Sequence, residues 1–173
     1  MFKKFATVTA LIIASSAAFA AQPDTFYAGA DVGRTKINDM SGRDTSYGAF
    51  VGYNFHQNFA VEAGYRRLAD YDFLVAGAGS SIIGGSESVN QAHLSVIGSL
   101  PVGEGFSVYS RLGVNHLRVK AKAGNYKYSG SENKALYGVG VSYAFSPAVS
   151  ARLEVQKPAS DATNLSAGVA FQF

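Results

Sequence analysis

Alternation of large apolar residues with small or polar ones at every second position is the feature that most constrains how this chain folds. The stretch SYGAFVGYNF places Tyr47 and Val51 on one face of an extended chain, and Gly48 and Gly52 on the other. Successive side chains of a β-strand point to opposite faces, whereas a helix repeats about every 3.6 residues. The pattern therefore predicts β-strands.

The same alternation recurs in eight segments. Their approximate bounds are 26–35, 46–55, 59–68, 88–100, 106–119, 134–145, 149–157 and 164–173. The composition supports strands, because 19 glycines, 12 phenylalanines and 10 tyrosines suit extended chains and close backbone approach better than helices. An even number of segments fits a series of antiparallel hairpins.

The connections between these segments alternate in length. Three are short, at 55–58, 101–105 and 146–148. Four are longer and either polar or rich in glycine and serine, at 36–45, 69–87, 120–133 and 158–163. Short turns at one end and long loops at the other are typical of bacterial membrane barrels. We therefore predict an all-β fold, an eight-stranded antiparallel up-and-down transmembrane β-barrel with its short turns in the periplasm.

Charged residues lie on the same strand face as most of the glycines. These predicted luminal charges are Glu62, Arg66, Arg111, Arg152 and Glu154. The interior of an eight-stranded barrel is only just wide enough for side chains, and charges enclosed there need partners. A soluble, lipocalin-like barrel with an apolar interior is the alternative. The second face is glycine-rich rather than a charged solvent coat, which argues against that alternative.

The N-terminal segment has the three parts of a secretory signal peptide. Lys3 and Lys4 precede an apolar run at 5–14, and an A-x-A site ends at Ala20. A membrane anchor is the alternative, but the run is shorter than the roughly 20 residues that a spanning helix needs. We predict a signal peptide at 1–20, with cleavage one residue later as a second option.

A barrel domain at 21–173 then remains, and its charge differs from that of the whole chain. Removal of the signal peptide takes away two lysines and no acidic residue, so 13 of the 15 basic residues stand against 12 acidic ones. This balance gives no indication of a nucleic-acid partner. The domain also has no apolar stretch long enough for a transmembrane helix, so we predict an exported protein that is not a helical membrane protein.

Six stretches in order along the chain resemble a known family. They read FYAGADVG, YGAFVGYNF, FAVEAGY, VYSRLGV, GVSYAFSPAVSARLE and SAGVAFQF, and they resemble the transmembrane domain of outer membrane protein A and its small relatives of the adhesin and serum-resistance type. The resemblance implies an integral barrel of the bacterial outer membrane, in contact with membrane lipids and lipopolysaccharide. It implies a structural or surface role in envelope integrity, adhesion or host-defence evasion. We also expect no peptidoglycan-binding domain, because the chain stops at the last strand.

The resemblance also concerns the interior. In the family, luminal ion pairs plug the barrel and can open narrow conducting paths. Four residues match such luminal charges by position, namely Glu62, Arg111, Arg152 and Glu154. Two further gate positions correspond here to Ile97 and Ser142, which are uncharged. A packed polar core is therefore our first interpretation, and a porin-like narrow channel gated by luminal charges is the second.

The C-terminus matches the family's assembly signal, glycine followed by two aromatic residues at fixed spacing. Here these residues are Gly168, Phe171 and Phe173. The resemblance implies that the barrel-assembly machinery recognises them. We expect the last strand to pair with both the first and the seventh, so that its backbone has no free edge.

The third long connection is basic and contains two tyrosines. The residues that form this predicted surface-binding loop are Arg118, Lys120, Lys122, Tyr126, Lys127, Tyr128 and Lys134. Such a set can contact lipopolysaccharide phosphates or an anionic ligand on a host surface. The alternative is a loop whose charges only keep it solvated.

Catalytic and cofactor patterns are weak. His93 and Ser95 share one strand face, a spacing also found in barrel enzymes that deacylate lipid A, but their flanking residues do not resemble that motif. The histidines lie on different segments without a carboxylate cluster, and Gly138-x-Gly140 lies inside a strand, so we expect no metal and no phosphate-bearing cofactor. We predict a protein that is not an enzyme, with a lipid A-modifying enzyme as the less favoured alternative.

Overall fold

The computed structural model describes residues 22–37, 44–76, 82–123 and 126–173, with the backbone alone at 71–76 and 82–83. The predicted signal peptide lies outside these residues. The described chain forms eight strands: β1 (Thr25–Ile37), β2 (Asp44–His56), β3 (Phe59–Ala76), β4 (Ile82–Gly103), β5 (Phe106–Ala123), β6 (Tyr126–Ala144), β7 (Val149–Ala159) and β8 (Ala162–Gln172). No described helix is long and apolar enough to cross a membrane.

The strands form one closed barrel in which each strand pairs with its neighbours in the chain, and β8 returns to β1. All eight pairings are antiparallel. The closing ladder runs from Tyr27 opposite Gln172 to Ile37 opposite Ala162. The predicted eight-stranded up-and-down barrel is confirmed, as is the pairing of the last strand with the first and the seventh.

The outer wall is apolar, as the alternation predicts. Val32, Leu112, Val114 and Val139 each expose between 62% and 67% of their surface. Aromatic rings gather on this wall near the short turns; the ring centroids of Phe26 and Tyr53 are 4.8 Å apart, and those of Phe106 and Tyr143 are 4.6 Å apart. An apolar band that ends in aromatic residues is the exterior expected of a barrel in a bilayer.

The end of the barrel where β1 begins and β8 ends has tight turns, and we call it the short-turn end. The predicted short connections are found there, at 57–58, 104–105 and 145–148. Gly105 has φ of 75°, a left-handed conformation that glycine adopts without the strain that a side chain would bring.

Two of the predicted long loops are wrong. β3 extends to Ala76 and β4 already begins at Ile82. Likewise β5 extends to Ala123 and β6 begins at Tyr126, so most of 69–87 and 120–133 is strand. The region 158–163 contracts to a turn at 160–161. Glycine, serine and lysine are weak strand formers alone, but ladder hydrogen bonds on both sides of a strand override such preferences.

The opposite end of the barrel is uneven, because β3–β6 have 18 to 22 residues and the other strands 11 to 13. The β2–β3 ladder stops at Tyr47 opposite Arg67, and the β6–β7 ladder stops at Tyr137 opposite Lys157. Beyond these points β3–β6 continue as a four-stranded extension. We call this extension, formed by 68–76, 82–90, 117–123 and 126–136, the projecting sheet.

Candidate functional site

An ion-pair network crosses the middle of the barrel interior. Arg111 bridges two carboxylates: its Nη2 is 2.9 Å from Glu62 Oε1, and its Nε donates to Glu154 Oε1 at 2.6 Å. Arg152 Nη1 donates to Glu62 Oε2 at 2.7 Å. Glu62 is 0% exposed and Arg111 is 2% exposed. These four residues come from β3, β5 and β7, and the alternation along each strand turns them inward.

Arg66, the fifth predicted luminal charge, joins the same network through a residue that the sequence analysis missed. Arg66 Nη2 donates to Asp31 Oδ2 at 2.6 Å, and Arg152 Nη2 is 3.9 Å from the same oxygen. Arg152 also lies over the Phe50 ring, 3.4 Å from its centroid. Asp31 was detectable, because it is on the inward face of FYAGADVG, two residues from both Gly29 and Gly33.

The network is balanced in charge, since three arginines face three carboxylates. An unpaired charge in such a site would be strongly destabilising, whereas paired and hydrogen-bonded charges are tolerated. Two tyrosines add hydrogen bonds to the carboxylates: Tyr27 donates to Glu62 Oε2 at 3.0 Å, and Tyr109 donates to Glu154 Oε2 at 2.9 Å. The tyrosines lie against Gly52 and Gly140, where an added Cβ would overlap with the aromatic rings.

An apolar floor lies between most of the network and the short-turn end. Ala60, Ile97 and Tyr109 form a buried cluster, and Tyr27 packs against it. A cavity open at the short-turn end reaches this floor, and Arg152 also lines it. Ile97, which occupies a gate position of the family, is thus part of the apolar floor rather than of an ion pair.

Uncharged polar side chains form a layer on the other side of the network. Asn164 donates to Thr35 Oγ1 at 2.9 Å and to Ser46 Oγ at 2.6 Å, and it accepts a hydrogen bond from Arg66. Asn115 donates to the backbone oxygen of Pro158 at 2.8 Å. The layer links β1, β2, β3, β5, β7 and β8 across the lumen.

Apolar residues cover this polar layer on the side toward the projecting sheet. Leu68 is 2% exposed, Ala69 0% and Leu136 1%, and Ala159 and Ala162 are buried beside the β7–β8 turn. An apolar layer therefore lies on each side of the polar middle of the interior. Five of the six charged groups are shielded from water, since Asp31, Glu62, Arg66, Arg111 and Glu154 expose 0% to 6% of their surface. The sixth, Arg152, is 12% exposed and lines the cavity at the short-turn end.

The histidine and serine singled out from the sequence lie inside this closed lumen. Ser95 Oγ is 3.3 Å from His93 Nδ1, and Ser95 is 2% exposed. A lipid acyl chain in the bilayer cannot reach a hydroxyl in that position. Among the described residues no group of three or more His, Cys, Asp or Glu side chains is arranged to hold a metal ion.

The seven residues of the predicted surface-binding loop lie on β5 and β6, and strand alternation divides them between two faces. Arg118, Lys120, Lys122 and Lys127 share the outward face, in line with the exposed Leu112 and Val114. The inward face of the projecting sheet carries the other three, Tyr126, Tyr128 and Lys134. One partner on one side of the sheet therefore cannot engage all seven.

Tyr126 and Tyr128 expose 85% and 67% of their surface, and Lys134 is 2.6 Å from Glu132. The inward face of the projecting sheet is thus accessible from outside the barrel and carries aromatic rings beside an ion pair. These features suit contact with another molecule better than packing within the barrel.

The C-terminal residues fix the seam of the barrel. Phe26 and Phe173 exchange two backbone hydrogen bonds of 3.0 and 2.8 Å. Gly168 lies close to β1, where a Cβ would meet the Ala30 oxygen at 2.8 Å. Phe171 and Phe173 are 56% and 71% exposed on the outer wall.

A closed antiparallel barrel of eight strands, with an apolar exterior and a charged interior, defines the class of small bacterial outer-membrane β-barrels. Comparison with known proteins agrees with this class. The model of the OmpA-like transmembrane domain matches residues 21–163. Outer membrane protein P5 of Haemophilus influenzae strain KW20 / Rd is 33% identical over 177 residues, covering 86% of this chain and 48% of that protein. A second P5 sequence of Haemophilus influenzae is 31% identical over 180 residues, with the same coverage.

Solved structures show the same fold at low identity. Neisserial surface protein A has a TM-score of 0.63 and 17% identity, over 86% of this chain and 96% of that one. The N-terminal β-barrel domain of Pseudomonas aeruginosa OprF has a TM-score of 0.60 and 16% identity, over 85% and 97%. Ail, the attachment invasion locus protein of Yersinia pestis, has a TM-score of 0.55 and 17% identity, over 88% and 100%.

The chain belongs to the family of OmpA-like transmembrane domains. It is an integral β-barrel of the bacterial outer membrane. It spans about half the length of the P5 proteins that it matches. In barrels of this class the short turns face the periplasm, so the projecting sheet is at the extracellular side.

Proposed function

We propose that this chain is a closed, non-conducting and non-catalytic barrel with a structural and surface-interaction role. It anchors the projecting sheet in the outer membrane and supports envelope integrity, adhesion or evasion of host defences through that sheet. The observation that carries the proposal is the filled interior. The charged groups that would line a pore are at most 6% exposed, except Arg152, whose side chain is 12% exposed.

The sealed interior argues against the two other roles considered from the sequence. Ions crossing the barrel would have to displace the Arg111 pairs with Glu62 and Glu154, and then pass the apolar residues on both sides. Hydrolysis of a lipid would need an accessible nucleophile, and Ser95 is 2% exposed.

Partners follow from the surfaces that remain accessible. The apolar wall contacts membrane lipids and lipopolysaccharide. The barrel-assembly machinery recognises Gly168, Phe171 and Phe173; support comes from the outward, exposed position of both aromatic rings. A host surface ligand binds at the projecting sheet, where Tyr126 and Tyr128 are exposed. Nucleic acid is not a partner.

Shortening of the β5–β6 hairpin tests the surface role. Deletion of 119–130, with an Asn-Gly turn in its place, removes the hairpin tip above the pair of Arg118 and Ser131. We expect outer-membrane insertion and the heat-dependent gel shift of a folded barrel to persist, because all eight strand pairings remain in the barrel wall. Whole-cell binding to host cells and survival in serum should fall.

The matched control replaces Ser160 and Asp161 of the β7–β8 turn by Asn-Gly, at the same end of the barrel but outside the projecting sheet. This control should behave as wild type. Unchanged cell binding, serum survival and detergent sensitivity in the shortened variant would contradict a surface or envelope role for the projecting sheet.

A further inference from the structure

The projecting sheet has two free edges. The β2–β3 ladder stops at Arg67, and the β6–β7 ladder stops at Tyr137. Among the described residues, 68–76 of β3 and 126–136 of β6 therefore have ladder partners on one side only. We call these two segments the β3 edge and the β6 edge. About half of the backbone N–H and C=O groups along such a strand point away from the sheet, where another strand can bond to them.

Both edges lack most of the features that keep edge strands from pairing with other chains, such as proline and bulges. Neither edge contains proline, and the β6 edge keeps an unbroken register against β5. The bulge of the β3 edge, between Arg67 and Ala69, is at its base. Lysine also protects edges, and the β6 edge has Lys127 and Lys134. Lys134 pairs with Glu132 at 2.6 Å, so Lys127 is left to select which strand can approach.

Charge differs between the two edges. The β3 edge contains Asp70 and Asp72 and no basic residue. Cross-strand register places both in rows that end at the β6 edge. These rows are Asp70–Ser88–Lys120–Ser129 and Asp72–Ser86–Lys122–Lys127. Asp70 also pairs with Arg67 at the base of its own edge. Each row is thus acidic at the β3 edge and basic toward the β6 edge.

Strand direction permits pairing between the edges of two copies. Because all eight pairings are antiparallel, β3 runs away from the short-turn end and β6 runs toward it. Copies in one membrane have the same orientation, so the β6 edge of one copy meets the β3 edge of another as an antiparallel pair. Two β6 edges side by side would form a parallel pair, which is less stable, and would bring their Lys127 side chains together.

The position and tilt of the strands bring the edges within reach of a neighbouring barrel. Each edge starts where a tyrosine is opposite a basic residue, Tyr47 with Arg67 and Tyr137 with Lys157, a combination typical of the membrane interface. With a tilt of about 45° and a rise of about 3.4 Å per residue, the segment 68–76 displaces its tip sideways by about 20 Å. Packed sheets are about 10 Å apart, so this displacement spans the gap between two barrel walls.

We propose that copies of this barrel associate side by side in the outer membrane, with the β6 edge of one copy hydrogen-bonded to the β3 edge of the next. The backbone groups of the two edges provide the ladder. Charge selects the pairing, because the basic end of each row then adjoins Asp70 and Asp72 of the neighbour. The contact is heterologous, so each copy keeps one free edge and further copies add in a row. Association of this kind needs no host ligand and is separate from the surface role proposed above.

Disulfide crosslinking tests this pairing, because the chain contains no cysteine. Two differently tagged forms of the full chain are produced in the same cells, one with Leu74→Cys on the β3 edge and the other with Ser131→Cys on the β6 edge. Ser129→Cys and Asn133→Cys, two residues away on the same face, cover the neighbouring registers. A disulfide needs two Cα atoms within about 7 Å, so it reports strands that are direct neighbours. Oxidation in intact outer membranes, followed by non-reducing gels, gives the yield of dimer that contains both tags.

The matched control combines Leu74→Cys with Ser160→Cys, which is at the extracellular side but in the β7–β8 turn, outside both edges. We expect at least about tenfold more mixed dimer from the edge pair than from this control, because only adjacent strands meet the geometric requirement of a disulfide. Where Leu74→Cys fails to assemble, as judged by the heat-dependent gel shift, Ala76→Cys on the same face takes its place.

Charge variants test how the partner edge is selected. Lys127→Glu in the Ser131→Cys form places like charges at the contact and should lower the yield of mixed dimer by about fivefold. Asp72→Lys in the other form should restore the yield. Lys36→Glu makes the same change at an exposed position of β1 outside the projecting sheet, and it should leave the yield unchanged.

Equal yields from the edge pair and from the Ser160→Cys control would overturn the proposal. Dimers formed mainly by two Ser131→Cys chains would also overturn it, because they would show contact between two β6 edges, and so would a yield that does not respond to Lys127→Glu. Hairpin shortening tests the surface role separately. That role can hold in cells whose barrels give no crosslinks, and edge pairing can hold in cells that bind no host surface.

Discussion

Arg111 shows how a single residue organises the interior. It is 2% exposed, and its guanidinium holds Glu62 from β3 and Glu154 from β7 at the same time. Planar guanidinium groups suit such double contacts because their donors are arranged as a rigid fork. The residue therefore joins opposite walls of the barrel.

Neutralisation of Glu62 tests the energetic importance of this network. Glu62→Gln keeps the size of the side chain but leaves Arg111 and Arg152 with too little negative charge in a closed space. We expect a loss of about 3–5 kcal/mol in the free energy of unfolding, the usual effect of breaking a buried pair. Equilibrium unfolding in urea from lipid vesicles, followed by tyrosine fluorescence, measures it.

The control for this prediction is Arg67→Gln, which breaks the exposed pair with Asp70. Exposed pairs contribute about 0–1 kcal/mol, so this variant should unfold almost as wild type does. Equal losses for the two variants would show that the luminal pairs carry no special weight in stability.

Sequence reasoning recovered most of this network, because charge on the glycine-bearing face is visible from period-two alternation alone. It missed Asp31, an acid between two glycines of the first strand, although the same alternation points it inward. It could not assign partners such as Arg111 with both Glu62 and Glu154. Those pairings depend on which strands face each other across the lumen, and this depends on barrel closure and register.

At the level of elements, β8 combines two roles. Its backbone closes the barrel against β1, and its aromatic residues face outward at the periplasmic end. The closing role needs backbone hydrogen bonds, whereas the proposed recognition by the assembly machinery needs the aromatic side chain. The two roles are therefore separable by a substitution that keeps the backbone.

Phe173→Ala makes this separation, because the two hydrogen bonds between Phe26 and Phe173 use backbone atoms only. We expect outer-membrane levels in cells to fall severalfold, while urea unfolding of the purified variant in vesicles changes by less than about 1 kcal/mol. Quantitative immunoblots of outer-membrane fractions measure the first effect.

Phe145→Ala is the matched control, since Phe145 is also a half-exposed aromatic residue at the periplasmic end but lies outside the C-terminal signal. It should leave outer-membrane levels unchanged. Normal levels for Phe173→Ala, or an equal reduction for Phe145→Ala, would refute the assignment of Phe173 to assembly.

Strand number and order were predictable, but the lengths of β3–β6 were not. Residues 82–87 and 120–123 read as loop, because glycine, serine and lysine rarely specify strands. Hydrogen bonding to two neighbours holds them extended, as in the continuous β4–β5 ladder that begins at Gly85 opposite Ala123. This tertiary effect also separates the predicted binding loop into an outward basic face and an inward aromatic face.

At the scale of the whole molecule, the barrel consists of three zones along its axis. A periplasmic cavity ends on an apolar floor, a balanced set of charges fills the centre, and a projecting sheet extends above the outer leaflet. The lower zones stabilise and seal the barrel, and the upper zone carries the surfaces that other molecules can reach. This division supports a role in structure and surface interaction rather than transport.

Conductance across a planar lipid bilayer tests the sealed interior most directly. The protein purified from outer membranes, inserted and verified as folded by its heat-dependent gel shift, should give no discrete single-channel steps under an applied voltage. Two variants identify which residues close the barrel. Glu62→Gln disrupts the luminal ion pairs and Leu136→Ala opens the apolar cover, and only such changes should produce current. Regular single-channel steps from the wild-type protein, altered by Arg152→Ala, would contradict a closed barrel and establish a narrow pore.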